Sequence, residues 1–202
     1  MSDVAARLVD YYEREMADRA TRPLADEREQ RLTAFVEHLL TEGLGSVVEV
    51  GRGAGRDGVR IAASGVAYSG VDLTPAAVDL CRRLGLDAYV GSATDLPFAD
   101  DSFDAGWTMS TLTHLPGDEM VTALAELRRV VRAGGVLEVG VWGAETSGEW
   151  TDDGGRYFRS RTDEELRELL GAVGEVGEVV AFDTWTHFTD GGHYQWARVV
   201  VS

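Results

Sequence analysis

The sequence predicts an α/β fold in one domain: a mostly parallel sheet with helices on both faces and one antiparallel strand. Three observations predict it. Strand-like β-branched runs alternate with helix-like patterns five times between Ser46 and Trp142. Two last apolar runs, Glu178 to Trp185 and Tyr194 to Val201, are joined by Thr189-Asp190-Gly191-Gly192, a hairpin signal. With 202 residues, 44% of them hydrophobic, the chain can fill one sizeable core but not two full domains.

Taken in order, residues 3 to 20 place Val4, Leu8, Tyr11, Tyr12 and Met16 at helical spacing until Arg22-Pro23 breaks the pattern. A second helix, about 25 to 42, carries Leu32, Phe35, Val36, Leu39 and Leu40 on one face and stops at Gly43. Ser46 to Val50 is the first strand, followed by a helix from about Gly55 to Ala63. Ala67 to Asp72 is the second strand, and Thr74-Pro75 opens a helix through Arg83 with an N-cap residue and a proline at the first helical position. Asp87 to Val90 and Ser102 to Met109 read as the third and fourth strands. A helix from Asp118 to Val131 ends at Ala133-Gly134-Gly135, and Val136 to Trp142 is the fifth strand. Residues 143 to 156 are rich in Gly, Ser, Thr and acids and read as a loop. Thr162-Asp163-Glu164-Glu165 is a capping-box pattern for a helix to about Leu170.

The formal net charge of -16, from 35 acidic and 19 basic residues, repels phosphate backbones and anionic lipid, so no nucleic-acid or membrane partner is expected. A single cysteine, Cys81, excludes an internal disulfide or a cysteine-based cluster. The four histidines have no metal-ligand spacing, so no metal is expected. No signal-peptide run and no stretch near ~20 apolar residues is present, which predicts a cytoplasmic protein, monomeric or homodimeric.

The chemistry concentrates at Ser46-Val47-Val48-Glu49-Val50-Gly51-Arg52-Gly53-Ala54-Gly55-Arg56-Asp57. A buried strand runs through a side-chain-free turn into a helix, so a ligand can lie against the backbone and meet free N–H groups. In such a sheet the ligand sits beyond the carboxyl ends of the strands, where Gly51 to Gly55, Asp72, Ser92 and Met109 fall. A P-loop is excluded because no Gly-Lys-Ser/Thr occurs. Gly53, Gly55 and Gly58 match G-x-G-x-x-G with Asp72 ~20 residues on, which keeps an NAD(P)-dependent oxidoreductase as an alternative.

Four stretches together resemble the class I S-adenosylmethionine (SAM)-dependent methyltransferases of the small-molecule type, over roughly residues 30 to 201. Val48-Glu49-Val50-Gly51-Arg52-Gly53-Ala54-Gly55 is similar to that family's acidic residue followed by G-x-G-x-G. Val71-Asp72-Leu73 matches the acidic end of its second strand. Ala93-Thr94-Asp95-Leu96-Pro97-Phe98-Ala99-Asp100-Asp101-Ser102-Phe103-Asp104 and Leu127-Arg128-Arg129-Val130-Val131-Arg132-Ala133-Gly134-Gly135 resemble its third and fourth segments. The resemblance implies a Rossmann-like seven-stranded sheet, order 3-2-1-4-5-7-6 with strand 7 antiparallel. It implies residues 1 to 42 as a cap over a SAM-binding core of residues 43 to 202. SAM is the implied cofactor and S-adenosyl-L-homocysteine (SAH) its product, with transfer to an O, N or C nucleophile of a small molecule.

The resemblance also assigns roles. Gly51, Gly53 and Gly55 let the methionine part of SAM approach the backbone, and Asp72 accepts both ribose hydroxyls. Glu49 acts near the α-amino group, Ala93 offers an N–H to adenine, and Leu73, Met109 and Tyr11 complete the cofactor set. Ser92 stands where the family most often has Asp facing adenine, and Ala133 replaces a usual Pro. A SAM-binding regulatory or partner subunit without catalysis is therefore a second alternative. His114, in Thr113-His114-Leu115-Pro116, is either a general base or a loop-orienting residue. Tyr12 and Trp150 are candidate substrate contacts. With Glu149, Asp152 and Asp153, Trp150 reads either as a solvated loop or as a site for a cationic or amine substrate. His187 and His193, flanking the last hairpin, read as structural.

Overall fold

The computed structural model describes residues 2–172, 176–186 and 192–202. Two helices come first, α1 (Asp3–Thr21) and α2 (Asp26–Glu42). Ser2 caps α1 by accepting from the Ala5 N–H at 3.2 Å. Gly43 ends α2 in the left-handed conformation, φ 68°, as its position after the last apolar residue predicts.

The core then alternates: β1 (Ser46–Val50), α3 (Arg56–Ala63), β2 (Ala67–Asp72), α4 (Pro75–Arg83), β3 (Asp87–Val90), β4 (Phe103–Met109), a 3-10 turn (Leu112–His114), α5 (Glu119–Val130) and β5 (Val131–Gly143). It closes with β6 (Gly148–Thr151), β7 (Tyr157–Ser160), α6 (Asp163–Ala172), β8 (Gly177–Thr186) and β9 (His193–Val201). The main sheet has seven strands in the order β3-β2-β1-β4-β5-β9-β8. Strands β1 to β5 pair in parallel, and β9 runs antiparallel to both neighbours. Once the small β6–β7 pair is set aside, this is the predicted order.

Helices cover both faces. Leu32, Phe35 and Leu39 of α2, Ile61 of α3 and Val78 and Cys81 of α4 pack over Val47, Ala105 and Trp107. The Phe35 and Trp107 rings stack at 4.8 Å. On the other face Met120, Leu124 and Leu127 of α5 and Leu166 and Leu170 of α6 cover Val48, Val50, Leu137 and Val139. The alternation in β1 is therefore a division between two cores, with Val47 and Glu49 on one side and Val48 and Val50 on the other.

Three sequence expectations need correction. Residues 143 to 156 are not simply a loop: Gly148–Thr151 pairs antiparallel with Tyr157–Ser160. Trp150 lies opposite Phe158, their rings stacked at 5.2 Å. Asp152 Oδ1 accepts from the N–H groups of Gly154 (3.1 Å) and Arg156 (2.8 Å), so the tip is closed by an Asx turn that a polar composition conceals. The helix expected to run to Val131 stops at Val130, because Val131 already pairs with Phe103 on β4. The capping box forms as expected: Glu165 N–H donates to Thr162 Oγ1 at 3.2 Å and Thr162 N–H to Glu165 Oε2 at 3.0 Å. Thr74 makes no side-chain cap; Asp72 Oδ1 accepts the Thr74 N–H instead, at 2.9 Å. His187 and the expected turn residues Thr189, Asp190 and Gly191 lie outside the described residues.

Candidate cofactor and acceptor site

A cavity of about 770 Å³ opens beyond the carboxyl ends of the strands, within the range that accommodates a cofactor with a small ligand. Its inner wall is the turn after β1 and the ends of β2, β3 and β4; Leu8, Tyr12 and Met16 of α1 line it from outside. Of the residues singled out from the sequence, Gly51, Gly53, Asp72, Leu73, Ser92, Ala93, Met109, Tyr12 and His114 line this cavity. Glu49, Gly55, Tyr11 and Trp150 do not.

The glycine turn works through two positions. Gly51, at φ 75°, is pressed against Thr111, whose Oγ1 would lie 1.8 Å from an added Cβ. Gly53, at φ 50°, has nothing within 4 Å of where a Cβ would stand, so its bare backbone is open to a ligand. Asp72 is aimed by that turn. Its Oδ2 accepts the Gly53 N–H at 2.8 Å and its Oδ1 the Thr74 N–H, leaving lone pairs on both oxygens for a pair of hydroxyl donors. Ser92 Oγ is bonded to Thr94 Oγ1 at 2.8 Å. These features suit a ligand that carries paired hydroxyls.

Glu49 faces away from the cavity, on the Val47 side of β1, 1% exposed. It accepts the Tyr68 hydroxyl at 2.5 Å, and burial pushes its carboxyl up to about 8. The unfolded chain ionises Glu49 near 4.5 and the folded chain only near 8. Its contribution is therefore fully present below the lower value and lost as pH rises through the higher one. Urea unfolding at pH 5 and pH 8 should show Glu49→Gln losing a few kcal/mol less stability between the two than the wild type. An identical loss in both proteins would contradict this. Gly55 packs its backbone against Cys81 and does not line the cavity, so it does not face a ligand as the second glycine of a dinucleotide loop would; Gly58 packs against the Tyr68 ring.

The carboxylate at the cavity next to β1 is Asp57, buried in the first turn of α3. Its Oδ2 accepts from Arg28 Nη2 (2.6 Å), Arg28 Nε (3.0 Å) and Trp107 Nε1 (2.8 Å), tying α2, α3 and β4 together. Arg19, Arg22 and Arg56 line the same region. Arg56 Nη1 donates to the carbonyls of Arg22 (2.6 Å) and Pro23 (3.0 Å), and Arg19 Nε is buried with no partner among the described residues. This cationic corner, in a chain of net charge -16, can hold a carboxylate such as that of a methionine moiety. Arg56 and Asp57 end the stretch in which the sequence concentrates its chemistry, but Arg19 on α1, Arg22 after it and Arg28 on α2 carry no motif that marks them as part of a site.

His114 is 7% exposed and bonded on both ring nitrogens. Nδ1 lies 2.8 Å from the Tyr157 carbonyl, an acceptor, so it carries the proton; Nε2, 3.0 Å from the Tyr12 hydroxyl, accepts. Burial pushes the imidazole down to about 4. Tyr12 is flanked by Arg19, 4.8 Å over its ring, while Arg156 lies 4.5 Å over Tyr11 and 4.9 Å over Phe158. Trp150 is 46% exposed and meets the site only through Phe158. The acids beside it are engaged: Glu149 pairs with Arg159 (3.6 Å) and Asp152 with Arg156 (2.7 Å). His193 Nε2 lies 2.7 Å from Asp163 Oδ1, joining β9 to α6. Among the described residues no group of three or more His, Cys, Asp or Glu could hold a metal ion, and no helix is long and apolar enough to cross a membrane.

The sheet order, the glycine turn and the carboxylate ending β2 are those that the resemblance to class I SAM-dependent methyltransferases implies. Residues 48–139 match a family described as "Methyltransferase domain". Among relatives, the O-methyltransferase resE of Aspergillus sclerotiorum is 32% identical over 120 residues, 54% of this chain and 45% of that protein. The tRNA (carboxymethyluridine(34)-5-O)-methyltransferase alkbh8 of Xenopus tropicalis is 32% identical over 91 residues, 45% of this chain and 14% of that protein. The chain thus spans about half the length, or less, of the curated relatives it matches. In fold it is similar to Burkholderia thailandensis 1,6-didemethyltoxoflavin-N1-methyltransferase, solved with 1,6-didemethyltoxoflavin and S-adenosylhomocysteine. That similarity has a TM-score of 0.81 at 22% identity and covers 98% of this chain and 88% of that one.

Proposed function

We propose that the protein transfers the methyl group of SAM to a small molecule bound in the same cavity, beneath the two N-terminal helices acting as a cap. The observation that carries this reading is the alignment of Gly53 and Asp72, joined by the 2.8 Å hydrogen bond, on one wall of a cavity with room left on the other side. SAM, when bound, supplies an electrophilic methyl on a sulfonium. The chain's part is to bind and orient. Asp72 takes the ribose hydroxyls, Gly51 and Gly53 the methionine part, Leu73, Ser92 and Ala93 surround the adenine, and Met109 lies at the strand end facing the acceptor. Much of the rate comes from holding donor and nucleophile in line.

His114 is neutral across the working range, and its lone pair is already directed at Tyr12. Its role in this reading is to hold Tyr12, and with it α1, over the site. The predicted kcat profile is flat between pH 5 and 8 as far as His114 is concerned, since its imidazole titrates near 4. A step near pH 6.5 that disappears in His114→Gln would show instead that it works as a free base. An RNA acceptor, as the tRNA relative's name would suggest, is disfavoured by the net charge of -16. Isothermal calorimetry with SAH tests the reading, and absence of binding at millimolar ligand sinks it.

A further inference from the structure

We infer that the acceptor side of the cavity takes a planar conjugated molecule, neutral or anionic, whose nucleophilic oxygen or nitrogen is positioned by the hydroxyl pair of Ser110 and Tyr194. This rests on the methyltransferase reading and names its substrate class.

Three aromatic side chains from three adjacent strands form one wall. Tyr194 of β9 lies directly opposite Trp142 of β5 and directly opposite Trp185 of β8. Residues opposite one another in a sheet share a face, so the three rings form a row, and all three line the cavity. Tyr194 meets Trp142 edge-on at 5.2 Å and 86°, and Trp185 at 4.9 Å and 31°. Arg31 backs the row, 5.5 Å over Trp185 and 4.2 Å over Trp196, and pairs with Asp183. A rigid wall of π faces suits a flat ring system, which buries large apolar area at small entropic cost.

The charges decide between kinds of flat molecule. Among the described residues, the carboxylates lining the cavity are Asp57, Asp72 and Glu119. Asp57 is engaged by Arg28 and Trp107, Asp72 belongs to the glycine turn, and Glu119 opens α5, which packs on the Leu137 and Val139 face of β5, opposite the face that carries Trp142. The ionic groups beside the aromatic row are Arg28 and Arg31, each already paired with a carboxylate, Asp57 and Asp183. A cationic amine finds no free carboxylate there, while a phenol, an enol or a ring N–H meets a compatible field.

Ser110 supplies a separate observation. It follows β4 directly, lines the cavity and holds φ 62°, a left-handed conformation unusual for a non-glycine residue. Its N–H donates to the Gly140 carbonyl at 2.8 Å, and its Oγ lies 2.9 Å from the Tyr194 hydroxyl. Such outliers persist where the surroundings enforce them and cluster at functional sites. Here the strained turn puts two hydroxyls together at the end of β4, between the donor turn and the aromatic row. Together they can accept one hydrogen bond and donate another to an acceptor O–H or N–H.

Calorimetry with 2-naphthol, 8-hydroxyquinoline and benzylamine, each with and without saturating SAH, tests the inference, alongside transfer of labelled methyl from SAM. The two hydroxy-aromatics should bind and become labelled, and benzylamine should not. Trp142→Leu and Trp185→Leu should weaken 2-naphthol binding ~10-fold or more with SAH affinity retained, a loss near that of one aromatic contact. Tyr194→Phe should keep 2-naphthol binding and lower kcat. Ser110→Gly should lower kcat while raising Tm by roughly 2–4 °C, because it relieves the backbone. A purely structural Ser110 would give the Tm rise without the loss of kcat. Preference for benzylamine, labelling of bulk tRNA but not of the aromatics, or unchanged 2-naphthol affinity in both Trp variants would overturn the inference. Failure of SAH to bind would overturn the methyltransferase reading separately, since 2-naphthol binding is also measured without it.

Discussion

Asp72→Ala should weaken SAH binding by about 100-fold or more in calorimetry, with the fold retained by circular dichroism. The side chain carries two kinds of hydrogen bond. Toward the protein it accepts from Gly53 N–H at 2.8 Å and Thr74 N–H at 2.9 Å, so it holds the glycine turn in register with the end of β2. Toward the ligand it offers a carboxylate to the ribose hydroxyls. Hydrogen bonds to a charged group are each worth about 1.5–3 kcal/mol, and losing two gives at least two orders of magnitude in affinity. Asp72→Asn keeps one acceptor oxygen and should fall between. SAH affinity unchanged in Asp72→Ala would mean that the nucleoside lies elsewhere.

Asp57→Ala should lower stability by about 3–5 kcal/mol, the range for removing one partner of a buried ion pair. Asp57 is 1% exposed, and its Oδ2 receives Arg28 twice and the Trp107 indole once. Its removal leaves the Arg28 guanidinium and the Trp107 N–H without their partner between α2, α3 and β4. For a chain of this length the loss corresponds to a fall in Tm of roughly 10 °C. Arg28→Met with Asp57→Leu, which removes both charges and fills the space, should recover much of it. A double variant no more stable than Asp57→Ala would show that the pair is not what sustains this corner.

The contrast between these two carboxylates shows which parts of the site are readable from the chain. Asp72 closes the short run Ala67 to Val71 and stands two residues before Thr74-Pro75, so its place at a strand end follows from neighbours a few residues away. Gly51 and Gly53 are equally local. Asp57 stands two residues after Gly55 and looks like an ordinary first-turn acid; its meaning depends on Arg28, 29 residues back, and Trp107, 50 residues on. Glu49 fails in the opposite direction. Its neighbours suit a cofactor motif, but strand periodicity turns its side chain to the Val47 face, where Tyr68 takes it. Trp150, read either as part of a solvated loop or as a substrate contact, is exposed and stacks across the strand pair on Phe158, outside the cavity lining.

By itself the sequence determined the alternation of strands and helices, the sheet order through its resemblance to a known family, and the glycine turn and strand-end carboxylate that line the cavity. All rest on contacts within a turn or two, or on motifs whose spacing is preserved along the chain. Only the tertiary structure decided the acceptor side. Trp142, Trp185 and Tyr194 belong to three separate segments, and nothing in any one of them marks it as part of a site. Antiparallel pairing of β9 with both neighbours brings the three rings level, and the turn at Ser110 sets a hydroxyl against them. Register between distant strands is a global property of the packed sheet, so the donor half is written locally and the acceptor half exists only once the chain has folded.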